Sequence, residues 1–494
     1  MLHECCRMYF ACDYSRLVLV FDISDLCAAS SARRILATLG GGCIHPTRFA
    51  VTPTPALRLL HLCICACFAL MGTWLRFSAY PPLLPPAYNV RFVLFAALLL
   101  TFALWLASSA PGFVTLRRVR GRALPLLCLL LLALWAYASQ SWGFAVFQAP
   151  EAGWSAALGW GAVALFCIVV AAAAPPPAWV ARALITAALL NGVLAIAQAD
   201  AGGALGIREL GEFRFGTGID GTSLIRAGAL TFVRPYGLLA HPNMLGGTLA
   251  LGAILGAAAF LRGRGWVRSA GWLVVTCVLA WALGLTFSRA AWLGLAAGGL
   301  SWLGAVWRSP SPKPGRAAVF AIAAIFVGAL FVTQYRPLLG ARVGEGTESL
   351  ELRSVSDRLV YTDFALRAIA ERPLLGQGAG YFPWRASAYL AQTFFDLRGD
   401  HVHQVYLSAW AELGVVGLAL LVAALCLGVE AALRALRQPS PDSAWRAGLL
   451  ACALALAVIG LFDHYPYSQL PFMALWWGLL AAAGSAHEYG AAAS

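Results

Sequence analysis

The feature that most constrains this chain is a succession of long apolar runs separated by polar stretches. Phe92–Ala107, Leu124–Ala138 and Ala447–Phe462 carry few or no charges over most of a bilayer-spanning length. About 20 apolar residues, each rising about 1.5 Å, cross a hydrocarbon core of about 30 Å. Runs of this kind fall at about 56–75, 90–110, 123–145, 155–174, 179–199, 236–261, 269–286, 290–307, 317–335, 405–430, 447–462 and 470–484. Of the 494 residues, 61% are hydrophobic and only 12% charged, against roughly a quarter charged in a soluble domain. Too few polar groups remain to build a water-facing surface. The expected fold is an all-α integral membrane protein of about twelve transmembrane helices. A large, partly helical polar loop is expected between helices 9 and 10.

The runs divide the chain. Residues 1–55 read as a disordered cytoplasmic tail or an over-extended start of the reading frame: Asp13, Asp22 and Asp25 interrupt the apolar stretch, which suits neither a signal peptide nor a spanning helix. Helices 1–9 occupy 56–335, the large loop 336–404, helices 10–12 405–484, and a short tail 485–494. Eight of the 13 cysteines lie in the first 67 residues, and Cys63-Ile-Cys-Ala-Cys67 lacks the paired spacing of a zinc site, so these read as small helix-filling residues.

A net charge of +13 would suggest nucleic acid in a soluble protein, but nothing here reads as a nucleic-acid patch. The arginines read as topology signals instead. Arg117, Arg118, Arg120 and Arg122 follow the second run, Arg262, Arg264 and Arg268 the sixth, Arg308, Lys313 and Arg316 the eighth, and Arg434, Arg437 and Arg446 the tenth. All fall on one side, which the positive-inside rule makes cytoplasmic, with both termini. The loops at 200–235, 336–404 and 463–469 then lie outside the cytoplasm.

That parity leaves external arginines that topology does not explain. Arg289 sits in the short turn Thr286-Phe-Ser-Arg289, and an arginine near membrane depth is a functional hypothesis by default. In the large loop, Ser356–Ala370 reads as an amphipathic helix capped by Ser354 or Ser356 and ended by Pro373. Leu375-Gly-Gln-Gly-Ala-Gly380 reads as a tight turn docking the loop on the bundle; it lacks the lysine of a nucleotide loop. At the loop's end stands His401-Val-His403. Near neutral pH a histidine accepts and returns a proton, and arginine forks suit phosphate oxygens. A histidine base beside arginines could displace a diphosphate leaving group without a metal.

His403-Gln404, nine residues, then Gly414-Val-Val-Gly417 resembles the signature of the O-antigen ligase and polymerase superfamily. Arg234-Pro-Tyr-Gly-Leu-Leu-Ala-His-Pro-Asn243, Thr286-Phe-Ser-Arg289, Glu371-Arg-Pro-Leu-Leu-Gly-Gln-Gly378 and Phe462-Asp-His-Tyr465 resemble the same family, in family order over roughly 230–480. The first 200 residues carry only hydropathy, apart from Gln198 at the end of the fifth helix. The resemblance implies a glycosyltransferase that moves a glycan from undecaprenyl diphosphate to an acceptor hydroxyl, such as a lipid A–core sugar, in lipopolysaccharide biosynthesis. It implies His403 as the general base, with Arg289 and Arg234 holding the diphosphate, and inversion with no metal or cofactor. His241, Asn243, Gln404, Asp463 and His464 are possible site-lining residues. Pro242 and Asn243 also suit a plain helix start. Glu412, about 13 Å along the helix from His403, reads as a buried carboxylate with a structural partner. A polysaccharide polymerase would use the same donor chemistry, and protein O-glycosylation enzymes form a further subclass. The rival of another class is a transporter or flippase, which would place charges at the bilayer midplane and repeat its halves. No such repeat is visible in the sequence.

Overall fold

The computed structural model describes residues 54–73, 97–107, 123–263, 265–307, 314–343, 349–393, 399–438 and 440–485. Within residues 1–52 it describes only an antiparallel pair, Cys12–Asp13 with Arg16–Leu17. The expectations for the two tails, for Arg117, Arg118, Arg120 and Arg122, and for Arg264, Arg308 and Lys313 lie outside the described residues, apart from the few tail positions just given.

Every apolar run carries a helix: α1 (Pro55–Met71), α2 (Ala97–Ala107), α3 (Ala123–Ala138), α4 (Pro150–Ala173), α5 (Pro177–Ala201), α6 (Pro242–Arg262), α7 (Trp266–Leu285), α8 (Arg289–Trp307), α9 (Pro314–Val343), α12 (Val405–Leu436), α13 (Ser443–Ile459) and α15 (Leu470–Ala483). Between α9 and α12 lie α10 (Ser349–Glu371) and α11 (Phe382–Leu390), and the one-turn α14 (Tyr465–Ser468) precedes α15. By length and composition, seven helices among the described residues can cross a membrane, against the twelve expected; α1, α2, α13 and α15 are shorter. Proline at the first helical position starts α1, α4, α5 and α6, where its missing N–H costs nothing.

The centre of the bundle is α6, 94% buried over its apolar window, whereas α9 is 6% buried and turns Ile322, Ile325 and Phe326 outward. Close approach around α6 depends on small residues, as expected where lipid removes any hydrophobic drive between helices. A Cβ on Gly252 would lie 2.4 Å from the Ala188 Cβ on α5. Arg316, read from sequence as a topology signal alone, is buried; its guanidinium donates to the carbonyls of Phe260, Gly263 and Gly265, tying off the α6–α7 turn.

Three local expectations change. The loop helix begins at Ser349, so neither Ser354 nor Ser356 caps it, and it ends at Glu371, two residues before Pro373. Leu, Glu and Arg are good helix formers, which carries α10 further back than its amphipathic part. Run 236–261 starts its helix only at Pro242, because His241 is the N-cap. The segment 200–235 contains a hairpin, β1 (Leu224–Ala227) and β2 (Leu230–Val233), with Gly228 at φ 60° opening its two-residue turn.

Glycine breaks α12. Gly414 has φ 67° and ψ −174°, a conformation reserved for glycine. The interruption exposes carbonyls that the 373–380 turn then satisfies: Gln377 N donates to Ala411 O at 2.9 Å and Gly378 N to Glu412 O at 2.8 Å, while Trp135 Nε1 reaches Leu413 O at 2.8 Å. Gly376, Gly378 and Gly380 all have positive φ. The triple-glycine turn therefore docks the loop on the bundle, as its sequence suggested, and its dock is the helix break. Around it, Tyr361, Phe364, Ala368, Phe382, Tyr389 and Val402 form a small core of their own.

Candidate functional site

His403 precedes α12 because the residue after it, Gln404, is the helix N-cap: its side-chain oxygen accepts from Leu407 N. An amide beside the histidine thus has a structural purpose, since its side chain satisfies an orphan N–H at the helix start. His401 and His403 lie in the non-helical stretch before the cap, and both meet His464. The His401 ring stacks on His464 with centroids 5.1 Å apart, and His403 meets His464 edge-on at 5.1 Å. Tyr361 from α10 lies 6.4 Å from the His403 ring.

His464 follows α13, and its backbone N donates to Asp463 Oδ1 at 2.9 Å, while its Nδ1 bonds Ser468 Oγ at 2.7 Å. The other carboxylate oxygen, Oδ2, accepts from Asn243 Nδ2 at 2.7 Å. Asn243 Oδ1 in turn accepts from Arg234 Nη2 at 2.7 Å. Arg234 is buried and fully engaged along one edge: Nη1 donates to Ser223 Oγ at 2.8 Å and Nε to Thr286 O at 2.6 Å. A continuous chain thus runs from His464 through Asp463 and Asn243 to Arg234, with His403 against its histidine end.

His241 is the N-cap of α6, its Nδ1 accepting from Asn243 N at 3.1 Å. It thereby anchors the backbone of Asn243 at the helix start. Burial, reinforced by the Arg234 cation, pushes His241 down to about 3, so it stays neutral. Arg289 opens α8 and joins the constellation through the backbone of its turn, since Arg234 bonds Thr286. Its own Nη1 donates to Arg342 O at 2.8 Å, while Arg342 Nη2 donates to Phe287 O at 2.9 Å. Between them Phe287 is held at φ 47°, a left-handed conformation that is costly for an aromatic residue, and its ring is fully buried. The two arginines read as a pair from sequence are therefore held differently, one inside the Asp463 chain and one on the strained turn beside it.

Burial lowers His403 below the usual histidine range, opposed by Asp463 and reinforced by Arg358; Asp400 and His401 act more weakly. His464 is lowered by burial too, against the same Asp463. Burial alone would raise the Asp463 carboxyl, but His464, His403, His241 and Arg358 bring it below its ordinary value, and two N–H donors hold the anion. The result is neutral imidazole beside carboxylate, the state in which His403 can take a proton and Asp463 can stabilise the cation formed.

Sequence reading missed Arg358, Ser223 and Asp400, and did not see what Gln198 does. Arg358 was one charge on an amphipathic helix, with no spacing to mark it. Gln198 holds the Arg234 turn, accepting from Tyr236 N and Gly237 N at 3.1 and 2.7 Å and donating to Gly237 O at 3.0 Å and to buried Glu212 at 2.7 Å. Asp400 had a signal, an acidic residue immediately before His401-Val-His403. Asp400, His403 and His464 place one donor atom each within 4.8 Å of the others, the donor number of a catalytic zinc site. The set fits a dication poorly, because the Arg358 cation bears on both histidines and Ser468 already engages one His464 nitrogen.

Residues 274–422 match the family model described as O-antigen ligase, a span that holds Arg289, the 373–380 turn, His403 and Gly414. No curated protein matches the chain.

Proposed function

We propose that this chain, a multi-pass membrane protein and by residues 274–422 a member of the O-antigen ligase superfamily, transfers a glycan from a polyprenyl diphosphate to a saccharide hydroxyl. The acceptor oxygen attacks the anomeric carbon as its O–H proton passes to His403. The bond from that carbon to the diphosphate oxygen breaks on the opposite face, so the configuration inverts. The departing diphosphate takes the bonding electrons, and its growing charge is met by Arg289 and Arg234, with Arg358 as a further cation. The imidazolium left on His403 is countered by Asp463.

The observation that carries this reading is the hydrogen-bond chain that ties the arginine side to the histidine side through Asn243 and Asp463. A base poised as neutral imidazole and a fixed cation belong to one network, so both ends of the displacement are preorganised together. In this reading the site faces the periplasm of a bacterial inner membrane, and a lipid A–core sugar is the acceptor. A polysaccharide polymerase would use the same groups with a lipid-linked glycan as acceptor.

Glycan transfer by the purified protein in vesicles, from an undecaprenyl-diphosphate glycan to a core-sugar acceptor, tests the reading. Transfer is expected at an unchanged rate after divalent metals are stripped with chelator. Loss of transfer on chelation, restored by one added metal, would overturn the arginine-based mechanism and give Asp400, His403 and His464 a metal to hold. A second measurement concerns pH. Asp463 raises the affinity of His403 for its proton, so Asp463→Asn lowers the His403 pKa further. The acid limb of the pH–rate profile should then move to lower pH, with a reduced plateau. A limb that stays put or moves up would remove Asp463 as the counter-charge.

A further inference from the structure

Beside the histidines lies a cavity of about 290 Å³ that none of the proposed diphosphate groups lines. Its walls come from α4 (Ser155, Gly159, Trp160), α11 (Trp384), the α12 region (His401, Glu412) and α14 (Tyr467). Neither Arg234 nor Arg289 lines it, and no arginine or lysine is among its lining residues within the described part of the chain. The polar floor is built around Glu412, which is 2% exposed. Glu412 Oε2 accepts from Gly380 N at 2.9 Å and from Tyr467 Oη–H at 3.0 Å; Oε1 accepts from Phe382 N at 3.4 Å and lies 3.8 Å from His401 Nδ1. A carboxyl group offers about four acceptor positions, so Oε1 retains room for another donor. Trp384 contributes an indole that is 43% exposed.

We infer that this cavity binds one uncharged sugar ring of the acceptor glycan, an assignment that rests on the transfer reaction proposed above. A floor of carboxylate and tyrosine accepts hydroxyl protons, and an exposed indole covers the apolar C–H face of a pyranose. A phosphate or carboxylate group would meet Glu412 with no arginine or lysine among the described lining residues to offset it, which disfavours an anionic ring. The size lies at the small end of the range for small-molecule sites, about 300–1,000 Å³, which suits a ring rather than a chain. Position separates acceptor from donor. The cavity reaches His401, His401 stacks on His464, and His464 meets His403, so a sugar held here lies on the base side of the site, where the attacking hydroxyl belongs. The diphosphate belongs with the arginines.

Two substitutions test this without touching the proposed base or clamp. Trp384→Ala removes the exposed indole. Gly159→Leu fills the cavity, and its Cβ would meet only Leu470 Cδ1, at 3.8 Å, an ordinary contact. In vesicles with an undecaprenyl-diphosphate glycan and a neutral hexose-terminated acceptor, both variants should raise the acceptor KM about ten-fold or more. The donor KM should stay at the wild-type value. The wild type should discriminate strongly against the same acceptor phosphorylated on its terminal ring. An unchanged acceptor KM in both variants, a rise confined to the donor KM, or equal use of the phosphorylated acceptor overturns the assignment. Wild-type protein and His403→Ala run in parallel separate the two claims. If the wild type transfers and His403→Ala does not, failure of the cavity variants to respond condemns the sugar subsite alone; if His403→Ala transfers normally, the parent reading fails first.

Discussion

Alanine at position 403 is expected to lower glycan transfer by about 10²–10⁴-fold, the range for removal of a positioned general base. The side chain is a poor candidate for a structural role: its ring meets those of His464 and Tyr361, and its Nδ1 is buried without a hydrogen-bond partner among the described residues. The variant should therefore fold, and its loss should fall on the rate of transfer with little change in donor KM. Three imidazoles compete for the role. His464 is engaged by Ser468 through Nδ1, and His401 lies 3.8 Å from Glu412, so each has a partner that fixes its orientation. Replacing either should cost less than replacing His403. Initial rates in vesicles measure all three. Wild-type transfer by His403→Ala, or a larger loss from His464→Ala, would move the base to a neighbour.

The second large effect is expected on folding. Gly414→Ala should destabilise the protein by at least about 3 kcal/mol, since the backbone strain alone is worth about 1–3 kcal/mol and a clash adds to it. An added Cβ would lie 2.0 Å from Leu374 O and 2.3 Å from its carbonyl carbon, and backbone atoms cannot swing aside as a flexible side chain can. Gly376 presses on the same junction from the other side, where a Cβ would fall 2.4 Å from the Glu412 carbonyl. Relieving either overlap separates the turn from the helix break and strips the Ala411 and Glu412 carbonyls of their donors. Glu412 also carries the floor of the sugar cavity, so transfer should fall with stability. Gly299→Ala is the control, because a Cβ there meets nothing within 4 Å. Thermal melting in detergent compares them; a Gly414→Ala melting temperature equal to that of Gly299→Ala would mean the junction yields more easily than its geometry implies.

Much of the site was visible as residues and little of it as a site. The Arg234–Asn243 and Phe462–Tyr465 stretches, the Ser-Arg turn and the His403 signature all stood out as motifs, and each contributes a named group here. What spacing could not reveal was how they are joined. Asn243 read as a helix-start residue, yet its amide is the bridge between Arg234 and Asp463, 220 positions apart from the latter. Gln404 read as a possible site-lining residue, and its side chain also caps a helix. Arg358 carried no mark of function, because a charge on an amphipathic helix is ordinarily solvated, and its nearness to three ionisable groups exists only once α10 folds back on the bundle. Glu412 went the other way: a carboxylate in an apolar helix demands partners, and it has them, from backbone N–H groups of a turn 32 positions distant.

By itself the sequence determined the helices and the kind of protein they make. Apolar length sets membrane insertion through a local cost that each segment pays independently of its neighbours. Proline positions set helix starts for the same local reason, and the spacing from His403 to Gly414 pointed to the resemblance that the O-antigen ligase family model over residues 274–422 matches. Tertiary structure alone decided which helices form the centre, where α12 breaks, and how the charges pair. Those outcomes depend on desolvation and on contacts between residues remote in sequence: a buried cation such as Arg234 is tolerated only where Ser223, Asn243 and the Thr286 carbonyl converge on it.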